Sequence, residues 1–90
     1  MLEKKFKIIN PTGLDARNSS ILVSKCGRFT SEIKIQLSKV AVDLKSIMGV
    51  MSLNVHKGEV VKIIANGIDE VEALEEISYL IQEIKLGKEY

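Results

Sequence analysis

Cysteine, histidine and proline each occur once among the 90 residues, tryptophan is absent, and aromatic side chains make up 4%. A single cysteine, Cys26, forbids an internal disulfide, so nothing here asks for an oxidising compartment. The single histidine, His56, falls in a turn pattern, with no base, metal partner or orienting group in view. One cysteine and one histidine without ligand spacing leave no metal site. No GxGxxG or P-loop spacing occurs, so no phosphate-cradling loop is indicated. These absences argue against an ordinary enzyme and call for no cofactor. Charge of one sign is also lacking: 13 Lys and Arg face 12 Asp and Glu, a net of +1. A dedicated nucleic-acid binder carries a basic face instead. Lys4, Lys5 and Lys7 cluster at the start, but on an alternating strand they read as a solvated edge. The opening residues lack the apolar run of a signal peptide. The longest uncharged stretch, Ser46–Val55, has ten residues, against about 20 for a bilayer span. The expectation is a cytoplasmic protein with no direct nucleic-acid contact and no membrane contact.

What is present is globular: 46% hydrophobic and 28% charged residues. At roughly 150 residues per domain, residues 1–90 make one unit, with a stability of about 5–13 kcal/mol by per-residue scaling. Lys4–Ile9 alternates, with Phe6 and Ile8 on one face, and Pro11-Thr12-Gly13 breaks the strand. From Ala16 to Cys26 the spacing becomes helical, placing Ala16, Ser19, Leu22, Val23 and Cys26 on one stripe. Asp15 stands at the N-cap position and Gly27 at the C′ position. That stripe makes Cys26 a small core residue. Alternation returns over Glu32–Leu37 and Val40–Leu44, joined by Ser38-Lys39, and again over Val60–Asn66. Between these lie a short apolar segment, Ile47–Leu53, headed by Ser46, and the His56-Lys57-Gly58 turn. Asp69 and Glu72 have the spacing of a capping box. Behind them Val71, Leu74, Ile77, Leu80, Ile81 and Ile84 repeat at helical period, and the helix stops near Leu86-Gly87.

The order is β-α-β-β-α-β-α, which predicts an α+β layer with helices on one face of a mostly antiparallel sheet. Its first six elements follow the split β-α-β pattern of ferredoxin-like folds. Alternation in all four strands predicts that the other sheet face meets water, carrying Ile9, Val60 and Ile64.

Three helix starts, at Asp15, Ser46 and Asp69, offer free N–H groups and a positive dipole end. For Asp69, with its Glu72 partner, plain capping is the reading. For the other two the local sequence says more. Lys45-Ser46-Ile47-Met48-Gly49-Val50-Met51-Ser52-Leu53 is similar to the regulatory-site signature of the HPr family, small phosphocarriers of the bacterial sugar phosphotransferase system. Gly13-Leu14-Asp15-Ala16-Arg17 resembles that family's active-site segment, and the likeness extends through Asp69-Glu70, Ala73-Leu74 and Leu86-Gly87. The resemblance implies an HPr-like open-faced β-sandwich of four antiparallel strands and three helices.

One departure bears on function. Where phosphate-carrying members have a histidine followed by Ala-Arg-Pro-Ala, this chain has Asp15 followed by Ala16, Arg17, Asn18 and Ser19. The resemblance thus makes Asp15 a degenerate phosphoryl-acceptor position, as in the Crh-like catabolite-repression paralogues that lack the acceptor histidine. A carboxylate can form an acyl phosphate, but its negative charge opposes an incoming phosphoryl group. The surroundings of Ser46 are unaltered. The resemblance implies regulatory phosphorylation of Ser46 by an HPr kinase/phosphorylase, followed by binding of a CcpA-like transcription regulator. Arg17, Ser20, Ile47, Met48 and Met51 are the implied partner-binding residues, with Val50 and Leu53 facing inward. The alternatives are a phosphocarrier that accepts phosphate from enzyme I on Asp15, and an HPr-fold binding module without phosphorylation. A monomer or weak dimer is expected.

Overall fold

Alternation within the strands decides the layering. The computed structural model describes residues 1–90, which run β1 (Leu2–Ile8), α1 (Ala16–Cys26), β2 (Glu32–Leu37), β3 (Val40–Asp43), α2 (Ile47–Ser52), β4 (Val60–Asn66), α3 (Glu70–Glu83) and β5 (Gly87–Glu89). Phe6, Ile8, Ile33, Ile35, Val61, Ile63 and Ala65 are all buried. They lie at alternate positions, so one sheet face carries them and the three helices close over it. Leu22 and Cys26 of α1, Val50 of α2, and Ala73, Leu74, Ile77 and Ile81 of α3 pack onto that face, and Leu14, Phe29, Leu44, Val55 and Leu86 from the connecting segments close the core. The opposite face stays open, with Val60 and Ile64 half-buried on it, while Ile9 is exposed just past the end of β1 rather than within the sheet.

The sheet order is β3-β2-β4-β1-β5, and every neighbouring pair is antiparallel. β4 stands between β1 and β2, and β2 stands between β3 and β4, so both helical crossovers are split. The β2–β3 hairpin turns without glycine by holding Ser38 at φ 55°, while the Gln36 amide donates to the Ser38 carbonyl at 2.8 Å. No helix is long and apolar enough to cross a membrane.

Several expectations are corrected. The sheet has five strands rather than four, because Phe6–Ile8 of β1 pair with Gly87–Glu89. β1 is therefore an interior strand, and its lysines do not line an edge. Val71 and Ala16 fall on the helical stripes but are exposed, because each belongs to a first turn that overhangs the core. Gly27 closes α1 in the right-handed conformation, at φ −63°, so its left-handed freedom is unused.

Asp69 makes no side-chain cap to α3. Its carboxylate instead accepts the N–H groups of Thr30 and Ser31, each at 2.9 Å, and the Ser31 hydroxyl. These bonds, the Ser31 hydroxyl foremost, bring its pKa down to about 2. The start of α3 is served by Glu70, which accepts the Gly67 N–H at 3.1 Å and the N-terminal ammonium at 3.0 Å.

Candidate functional site

The segment between β1 and α1 is shaped by its small polar residues. The Asn10 amide donates to Thr12 Oγ1 at 3.0 Å and to the Gly13 carbonyl at 2.8 Å. Gly13 takes φ 69°, and a Cβ there would lie 2.3 Å from the Val55 carbonyl oxygen, so only glycine fits. The Leu14 N–H then donates to that same carbonyl at 3.1 Å, and the Leu14 side chain is buried. Together these contacts fix where α1 begins.

Asp15 is its N-cap. One carboxylate oxygen accepts the Asn18 N–H at 2.9 Å, and the other accepts the Thr12 hydroxyl at 2.7 Å. The Asn18 bond first, then Thr12, with smaller help from Asn10 and Arg17, holds the Asp15 carboxyl below the usual carboxylate range. The group is thus ionised at neutral pH and engaged through both oxygens. A carboxylate can attack phosphorus in principle, but here each oxygen already accepts one hydrogen bond, which draws charge from it and lowers its nucleophilicity.

Ser46 heads α2. Its hydroxyl oxygen accepts the Gly49 N–H at 3.2 Å, the ordinary serine N-cap bond. A Cβ at Gly49 would lie 3.4 Å from that oxygen, in ordinary van der Waals contact. Six residues are too few for an autonomous helix, and α2 is held by Val50, which is 1% exposed. Facing Val50 toward the core turns the other side of the helix outward: Ile47 and Met51 are each 40% exposed and Met48 is 81% exposed. Leu53 is half-buried against the core. The sequence-based division of this segment into inward and outward residues therefore matches the structure.

The two capped starts stand at opposite ends of the paired helices α1 and α2. The loop before α1 rests on Val55, beyond the C-terminal end of α2. At the other end the Lys45 ammonium, beside Ser46, donates to the Phe29 carbonyl beyond α1 at 2.6 Å. Arg17 is exposed, and its charge acts on Asp15, so it belongs to the Asp15 end. Ser20 is exposed farther along α1, in a shallow concavity with Ile21, Arg28 and Leu80. Asp15, Arg17 and Ser20 thus follow α1, while Ser46, Ile47, Met48 and Met51 follow α2. Thr12, Asn10 and Lys45 are the positioning residues that the sequence did not single out. The Asn-Pro-Thr-Gly turn was the available signal for the first two.

Cys26 is fully buried, and burial pushes its thiol up to about 12, so it is no nucleophile. His56 is exposed in its turn, where its backbone N–H donates to the Glu59 carboxylate at 2.8 Å.

Comparison with known proteins places this arrangement. The family model of the PTS HPr component phosphorylation site matches residues 2–83. The HPr-like protein Crh of Bacillus subtilis is 42% identical over 83 residues, covering 92% of this chain and 98% of that protein. Among solved structures, the histidine-containing phosphocarrier protein of a mycoplasma superposes with a TM-score of 0.93 at 30% identity, over 96% of this chain and 98% of that one. Crystalline Bacillus subtilis Crh, a catabolite-repression protein described as a domain-swapped dimer, gives a TM-score of 0.73 at 42% identity, over 92% and 95%. Sequence, strand order and helix placement agree over nearly the whole length, and the chain belongs to the HPr family.

Proposed function

We propose that this chain is a regulatory HPr-family protein of carbon catabolite control, working in the cytoplasm. An HPr kinase/phosphorylase phosphorylates Ser46, and the modified protein then binds a CcpA-like transcription regulator, which makes the DNA contact. The observation that carries this reading is the contrast between the two helix starts. Ser46 presents a hydroxyl at the head of a short helix whose outward side is Ile47, Met48 and Met51, all exposed. Asp15, in the segment that resembles the family's active site, has both carboxylate oxygens engaged. An exposed apolar cluster beside a modifiable hydroxyl suits a docking surface whose affinity is set by charge. Arg17 and Ser20 extend that surface along α1.

Phosphate at this N-cap gains only about 0.3–1 kcal/mol from the helix dipole, too little to rearrange a fold of this size. Two or three charge-assisted hydrogen bonds to a partner, at about 1.5–3 kcal/mol each, correspond to a hundredfold or greater gain in affinity. The switch therefore acts on the surface a partner reads. What supports the class of function is the 42% identity to Crh, a catabolite-repression protein of Bacillus subtilis.

The test is incubation with ATP and an HPr kinase/phosphorylase, followed by intact mass. One phosphate is expected, absent in Ser46→Ala. No phosphate on the natural chain, or phosphate that survives Ser46→Ala, overturns the reading. A hydroxylamine-sensitive phosphate formed from phosphoenolpyruvate and enzyme I, lost in Asp15→Asn, would make the chain a phosphocarrier instead.

A further inference from the structure

Near-neutral totals conceal two charged poles. On the open face of the sheet, Lys5 stands directly opposite Lys62 in the β1–β4 register, and Lys7 directly opposite Lys88 in the β1–β5 register. Like charges facing each other across strands destabilise a sheet. Only Lys62 has an acidic partner, Glu3 at 3.1 Å; Lys5, Lys7 and Lys88 have none. Beside them Tyr90 is 73% exposed, and it borders a hollow of about 250 Å³ with Lys5, Gln36 and Lys62.

The outward side of α3 has the opposite character. Its inward side is Ala73, Leu74, Ile77 and Ile81, all buried, which turns Glu72, Glu75, Glu76, Tyr79 and Glu83 away from the sheet. Glu76 is paired with Lys25 at 2.8 Å, while Glu72, Glu75 and Glu83 form no ion pair. Tyr79 is 68% exposed and Val71 58% exposed. Apolar and acidic side chains thus share one unpartnered helical face, on the side of the molecule opposite the lysines.

We propose that the lysine-bearing sheet face of one copy docks the acidic face of α3 of a second copy. The dimensions agree. Glu72 to Glu83 spans about 16 Å along a helix, and Lys62 to Lys88 spans about 12 Å across two strand spacings and one two-residue step. Tyr79 supplies a ring for the hollow beside Tyr90. Because the two surfaces differ, the contact is head-to-tail rather than two-fold. It uses neither Ser46 nor the outward side of α2.

Sedimentation velocity of the full chain over a concentration series tests this at about 10 mM and about 1 M salt, where the screening length falls from about 30 Å to about 3 Å. Expected is reversible association at low salt that weakens at least tenfold at high salt and is unchanged in Ser46→Ala. Lys7→Glu with Lys88→Glu, and Glu75→Lys with Glu83→Lys, should each remain monomeric alone. An equimolar mixture of the two should associate again, since each then offers the face the other lacks. Thermal unfolding of each variant confirms that it is folded. A natural chain that stays monomeric at low salt overturns the proposal. So does association indifferent to salt and to both reversals, as an exchange of whole elements between protomers would give.

Discussion

Removing the Ser46 hydroxyl and adding phosphate to it should have small effects of opposite sign on folding. In Ser46→Ala the Gly49 N–H loses its 3.2 Å acceptor. Replacing such a cap costs about 0.5–2 kcal/mol in general, and the long single bond here places the loss near 1 kcal/mol. For a domain of this size that lowers the melting temperature by about 4–8 °C. A phosphoserine keeps an acceptor oxygen at the N-cap and adds a favourable dipole contribution of about 0.3–1 kcal/mol. The phosphorylated protein should therefore melt at the same temperature or a few degrees higher. Differential scanning calorimetry on the unmodified, phosphorylated and Ser46→Ala proteins measures all three. A destabilisation of 2 kcal/mol or more on phosphorylation, by about the upper end of the cap range, would refute the reasoning, since it would mean that the half-buried hydroxyl has no room for phosphate.

Acid should weaken the fold through Asp69 and Asp15, whose carboxyls lie below their ordinary value in the folded chain. A depressed folded pKa means that the unfolded chain binds protons first as pH falls. Stability is therefore held above the ordinary value of 3.8 and is lost toward the Asp69 value of about 2. Urea midpoints through this range should fall for the natural chain and flatten in Asp69→Asn; identical pH profiles would contradict the clamp. Cys26, buried with its thiol pushed up to about 12, should react with a thiol reagent only as fast as the chain opens, so fast labelling of the folded protein would place it elsewhere. Met48→Ala, at a position 81% exposed, should leave stability within about 0.5 kcal/mol while weakening partner binding. Ile63→Ala, at a fully buried position, should cost about 2–5 kcal/mol, read from the same denaturation curves.

Features written in local periodicity were legible from the sequence. β2 and β4 alternate cleanly, and the separation of Val50 from Ile47, Met48 and Met51 follows from one helical turn. Features supplied by distant parts of the chain were not. β5 is three residues, Gly87–Glu89, too short for any alternation, and β1 dictates its pairing. Asp69 has the spacing of a capping box, yet it finds Thr30 and Ser31, which lie 39 and 38 residues away in the chain. The lysines of β1 have the pattern of a solvated edge, and the edge is removed by β5, which pairs with Phe6–Ile8. Within the site, Ser46 was visible through its surrounding segment. The hold of Thr12 on Asp15 depends on a turn geometry that Asn10 and Gly13 create.

The central claim is that charge on Ser46 changes what a partner reads on the outward side of α2. Titration of the phosphorylated and unphosphorylated chains against a CcpA-like regulator tests it most directly. The phosphorylated form should bind at least about a hundredfold more tightly, as two or three charge-assisted bonds imply, and Met48→Ala should weaken it. Equal affinities for the two forms would contradict the account.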